Sequence, residues 1–213
     1  TTRIVPLAQA PGIELLPARS GGAWDQHGAA GKDHDRHDHG RNGIDGHLWL
    51  SPTNAAAILR AAARTLSDVD PANAGRYAAN AEAALQRLKI LNAELAAELA
   101  PVRDKPFIVF HDAYQYFEQS YRLSAAGSVL VSPEALSSAG RVRDLRHKIG
   151  ALGAVCVFAE PQFEPRLVQT LIEGTSARAG RLDPIGADLP AGWAGYERLL
   201  RGLAENLKEC LMR

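Results

Sequence analysis

Apolar and polar positions divide the chain into a front part of broken patterns and a rear part of regular alternation. Residues 3–16 read as a strand and a turn: RIVPL, a loop holding Pro11 and Gly12, then IELLP. No apolar periodicity runs through residues 25–46, which predicts a mobile, solvated loop. HLWLSP (47–52) reads as a short extended piece ending in Ser51-Pro52, a helix-start signal with proline in the first turn. Residues 53–67 are rich in Ala and Leu at helical spacing. Asp70-Pro71 opens a second helix that meets no breaker until Pro101. At 1.5 Å per residue, a helix of roughly 29 residues is about 43 Å long. Its Leu85, Leu88, Leu91, Leu95 and Leu99 recur every three or four positions, as packing along one side requires. A helix of that length can serve as a strut between two lobes.

Beyond Pro101, short apolar runs alternate with helical segments. FIVF (107–110), SVLV (128–131) and AVCVFA (154–159) read as extended, and RLDPI (181–185) ends a further strand. Helices are expected at 112–121, 138–152, 165–173 and 193–211. This alternation predicts an α/β region with a parallel sheet covered by helices. Ligands of such sheets sit at the carboxyl ends of the strands. Here those ends carry His111, Glu160 and Asp183.

Composition bears on partners and chemistry. Lys+Arg and Asp+Glu number 24 each, so the net charge of zero argues against nucleic acid or an anionic membrane as partner. No apolar run approaches the roughly 18 residues needed to span a bilayer. His27, His34, His37, His39 and His47, five of the seven histidines, fall within 21 residues, interleaved with Asp25, Asp33, Asp35, Asp38 and Asp45. Imidazole beside carboxylate suits divalent first-row metals, zinc above all. Binding would have to order a floppy segment, so the affinity of this loop should be modest. His147, in the basic segment RVRDLRHK, reads as a solvated surface residue. Cys156 and Cys210 form no CxxC pair. They are either two buried thiols or one disulfide, which would be worth roughly 3–4 kcal/mol in an oxidising compartment.

GHLWLSPTNA, KPFIVFHDAYQYFE, AVCVFAEPQF and RLDPIGADLP resemble, in order and over essentially the whole chain, the zinc-uptake branch of the metal-binding solute-binding proteins of ABC transporters. The resemblance implies a two-lobed α/β fold with the metal in the cleft. Residues 1–70 would form part of the first lobe with the His-rich loop 25–46, residues 71–100 the connecting helix, and residues 101–213 the second α/β lobe. His47 and His111 match two of the family's three ligand histidines. Asp183 matches the carboxylate ligand of manganese- and zinc-binding relatives, and Glu160 is a further candidate near the cleft. His27, His34, His37 and His39 correspond to an auxiliary metal loop. Cys156 and Cys210 match a disulfide of the zinc branch. The first ligand histidine and the signal peptide of the family have no counterpart here, so the chain is expected to begin inside the first lobe. The strands that the resemblance leaves uncovered invite dimerisation there.

The implied activity is capture of Zn²⁺ in the periplasm and delivery to a membrane permease, without covalent chemistry. Manganese or iron is the alternative cargo, and a zinc buffer acting through the loop alone is the alternative role. A metallohydrolase would need an open zinc position and a general base such as Glu160 or Asp112. The sequence contains no HExxH.

Overall fold

The computed structural model describes residues 3–19, 43–130, 139–163 and 166–213. Its centre is a parallel four-stranded sheet of β1 (Phe107–His111), β2 (Ala125–Leu130), β3 (Cys156–Ala159) and β4 (Arg178–Arg181), in the order β2-β1-β3-β4. Side chains alternate across a strand, and the two faces of this sheet are separate cores. Phe107, Val109, Cys156 and Phe158 point to one face, with Leu91, Leu95, Leu99, Leu200, Leu203 and Leu207. Ile108, Phe110 and Val157 point to the other, with Leu145, Ile149, Val168 and Leu171. Burial on both faces explains why FIVF and CVFA are unbroken apolar runs.

The helices are α1 (Pro52–Val69), α2 (Ala74–Leu99), α3 (Gln115–Tyr121), α4 (Ala139–Leu152), α5 (Arg166–Ile172) and α6 (Trp193–Met212). α3 and α6 lie with α2 on the first face, while α4 and α5 cover the second. The chain leaves β1 toward β2, then crosses back to place β3 on the other side of β1. The direction of winding therefore reverses between β1 and β3, and the carboxyl ends of strands at such a reversal are where sheets of this kind bind ligands. Ser51 caps α1 by accepting from the Asn54 amide at 3.2 Å, with Pro52 in the first turn. In α2, Leu88, Leu91, Leu95 and Leu99 are buried. Cys156 of β3 and Cys210 of α6 are joined in a disulfide. No helix among the described residues is long and apolar enough to cross a membrane.

Several elements differ from the sequence reading. Residues 3–16 hold no strand; they contain a 3₁₀ turn at Leu7–Gln9, and a single bridge pairs Pro17 with Ile44. Pro6 and Pro11 cannot donate to a ladder, and side chains take over the backbone bonding. Glu14 N–H donates to Asn54 Oδ1 at 2.8 Å, and Leu16 N–H to the Tyr116 hydroxyl at 3.0 Å. The HLWLSP segment is a 3₁₀ turn at Leu48–Leu50 rather than extended chain. The long helix is shorter than its periodicity suggests, with 3₁₀ turns at Pro71–Asn73 and Ala100–Val102 flanking 26 α-helical residues. β4 ends at Arg181, because Asp183 draws the following amides into a turn. His147 is exposed, as expected.

Candidate metal centre

His47 stands just before the Leu48–Leu50 turn, and His111 is the last residue of β1. Their ring centres lie 5.3 Å apart, with the planes inclined at 61°. Both histidines are held in the same way. The His47 backbone N–H donates to Asp45 Oδ1 at 2.9 Å, and its Nδ1 lies 2.7 Å from the same oxygen. The His111 backbone N–H donates to Glu160 Oε1 at 3.2 Å, and its Nδ1 lies 2.7 and 2.6 Å from the two carboxylate oxygens. With each Nδ1 occupied, Nε2 is the ring nitrogen left with a lone pair to offer. Two imidazoles on one tetrahedral zinc, at Zn–N of about 2.0–2.1 Å, bring their ring centres about 5 Å apart. The observed spacing fits that geometry.

The carboxylates owe their places to different parts of the fold. Glu160 follows β3 and reaches His111 because β1 and β3 are neighbours. Asp45 is fixed from behind: its N–H donates to Leu16 O at 2.9 Å, and its carbonyl accepts from the Tyr116 hydroxyl at 2.9 Å. Asp45 is 6% and Glu160 3% exposed. Asp45 therefore departs from the solvated loop expected over 25–46, because a short ladder between residues 16–18 and 43–45 draws it inward. Spacing offered one signal for it, an aspartate two residues before the histidine.

Around the pair, Trp49 packs against His47 with ring centres 5.3 Å apart, and Phe163 against His111 at 5.9 Å. Trp49 Nε1 donates to Pro184 O at 3.0 Å, tying the His47 turn to the loop that carries Asp183. The Tyr114 hydroxyl is raised well above its ordinary pKa by burial and, next, by the charge of Glu160. It stays protonated beside His111.

Asp183 accepts from Gln162 Nε2 at 2.9 Å and from the amides of Ile185, Gly186 and Ala187 at 3.2, 3.0 and 3.3 Å. Burial would raise its carboxyl, but these hydrogen bonds outweigh burial and hold it below the usual carboxylate range. Asp183 thus organises its own turn, while Glu160 spends both oxygens on His111. Among the described residues, no three His, Cys, Asp or Glu side chains converge as a complete metal site. His27, His34, His37 and His39 lie outside the described residues.

A second cluster lies beside His111, through its neighbour Asp112. Arg19 Nε donates to Asp112 at 3.0 Å, and its Nη1 and Nη2 to Glu118 at 2.8 and 3.0 Å. Asp112, proposed from sequence as a hydrolase base, is therefore engaged by an arginine. Sequence reasoning missed this cluster, whose members lie almost a hundred positions from Arg19 and carry no motif.

The family described as ZnuA, zinc-uptake complex component A, periplasmic, matches residues 5–210. The chain belongs to that family. It is 52% identical over 169 residues to the high-affinity zinc uptake system protein ZnuA of Brucella suis biovar 1, covering 79% of this chain and 51% of that protein. The ZnuA of Yersinia pestis is 33% identical over 214 residues, covering 97% of this chain and 67% of that protein. A crystal structure of ZnuA superposes with a TM-score of 0.69 at 30% identity, over 78% of this chain and 62% of that one. The chain thus spans about half the length of the Brucella relative. ZnuA proteins are zinc-uptake components, and the hydrolase reading finds no support among them.

Proposed function

We propose that this chain captures Zn²⁺ in the periplasm for an ABC importer and passes it to the membrane permease. His47 and His111 supply nitrogen ligands through Nε2. The observation that carries this reading is the pair of imidazoles at 5.3 Å, each with its Nδ1 already engaged. Two borderline-soft nitrogen donors favour zinc over manganese or iron. Protons compete with zinc for the same lone pairs, so capture weakens in acid, and release needs no bond chemistry in the protein. Membership of a zinc-uptake family supports the cargo and the destination. His27, His34, His37 and His39 would collect zinc weakly from solution. Asp183 stands as a candidate further ligand, available only if zinc draws it out of its turn.

The test is a competition titration of zinc against a chromophoric chelator, comparing the wild-type chain with His111→Ala. A cleft site weakens about a hundredfold, or about 2.7 kcal/mol. Unchanged stoichiometry and affinity would reduce the protein to a buffer acting through its His-rich segment.

A further inference from the structure

We infer that Asp45 and Glu160 are positioning residues that set the zinc affinity by holding His47 and His111, and that Glu160 is not itself a zinc ligand. The inference rests on the proposed role of the two histidines. Its first support is the repeated geometry. Each carboxylate accepts both the backbone N–H and the ring Nδ1 of one histidine, Asp45 at 2.9 and 2.7 Å and Glu160 at 3.2 and 2.6–2.7 Å. Gripping the backbone and the ring together fixes χ1 and χ2, so Nε2 points in one direction before any metal arrives. The two grips have unrelated origins. Asp45 is two residues from its histidine, whereas Glu160 is 49 residues away and arrives through the β1–β3 pairing.

The second support is burial. Both carboxylates are nearly inaccessible, and among the described residues the ion partner of each is a single histidine. Burying a carboxylate this deeply is costly unless its hydrogen bonds are well made. A cation on Nε2 polarises the ring and strengthens the Nδ1–H bond to the carboxylate behind it, so the pair gains when zinc binds.

Geometry then separates positioning from ligation. Nδ1 and Nε2 point away from each other across the ring. A zinc about 2.0–2.1 Å from Nε2 lies more than about 6 Å from an oxygen bonded to Nδ1, whereas ligation needs about 2.0–2.2 Å. Glu160 cannot do both. This reassigns the candidate ligand of the sequence reading to the ring behind the metal.

The experiment compares wild type, Glu160→Gln, Glu160→Met, Asp45→Asn and His111→Ala by chelator competition. Zinc-edge absorption gives the ligand count, and ¹H–¹⁵N spectra of the zinc-loaded protein follow the His111 ring. Glutamine keeps an acceptor for Nδ1–H but loses the charge, so Glu160→Gln and Asp45→Asn should each weaken zinc about tenfold. Methionine keeps neither, and Glu160→Met should approach a hundredfold, within the span expected for outer-shell partners. In all three the count of nitrogen and oxygen ligands stays as in wild type, while the His111 Nδ1–H resonance moves in both Glu160 variants. Wild-type affinity in Glu160→Met and Asp45→Asn, or loss of one oxygen ligand in Glu160→Met, overturns the inference. An effect of His111→Ala without any effect at Glu160 or Asp45 sinks the positioning role alone. No effect of His111→Ala sinks the proposed function beneath it.

Discussion

Replacing Arg19 by Met removes one positive charge from a place where two carboxylates depend on it. The Arg19 side chain is 20% exposed, and those of Asp112 and Glu118 are 7% and 9%. Methionine keeps most of the aliphatic bulk, so lost packing contributes little. Burial would lower the Arg19 pKa, yet its hydrogen bonds to Glu118 and Asp112 hold it above the ordinary value, and the guanidinium is charged at any working pH. Removing one partner from a buried ion pair costs about 3–5 kcal/mol, because the other charge is left without compensation. For a chain of this size that corresponds to a fall in Tm on the order of 10 °C. The penalty also has a pH signature. Burial raises Glu118 above its ordinary value of 4.5; Arg19 pulls it back, and Asp112 and Asp45 push it further up. A carboxyl whose folded pKa exceeds its unfolded one binds more protons when folded, so its contribution to stability falls as pH rises from the unfolded value through the folded one. Without Arg19 that gap widens. The variant's deficit against wild type should therefore be smaller near pH 4 than at neutral pH. Urea denaturation of both proteins at several pH values measures it. A deficit below about 1 kcal/mol at neutral pH, or one equal at pH 4 and at neutral pH, would refute the reasoning.

Two further outcomes are expected. Reducing the Cys156–Cys210 bridge, which spans 54 positions and ties β3 to α6, should lower stability by about 4 kcal/mol on the chain-entropy argument; denaturation curves with and without reductant would show it, and coincident curves would contradict it. Arg122, exposed at the end of α3, is the one non-glycine residue among those described with positive φ, at 57°. Arg122→Gly relieves that strain and should raise stability by about 0.5–1 kcal/mol, checked by thermal unfolding, with a lowered Tm counting against it.

Local pattern and motif carried much of this protein. Unbroken apolar runs gave β1 and β3, leucine spacing gave α2, and Ser51-Pro52 marked the start of α1, because these features depend on which faces are buried and on short-range capping. His47 and His111 were legible as residue types at recognisable places, and Cys156 with Cys210 as a pair implied by likeness. What lay beyond the sequence was contact between distant positions. Which end of which strand Glu160 would meet depended on the β2-β1-β3-β4 order, and that order is set by how helices pack on two faces at once. Asp45 looked like one more solvated acid of a polar loop until a short ladder and the Tyr116 hydroxyl drew it inside. Arg19 belonged to no pattern at all. Sequence fixes the donor atoms available to a metal; the fold decides which carboxylates stand behind them, because a hydrogen bond of 2.7 Å between residues 49 positions apart is settled only once both cores have closed.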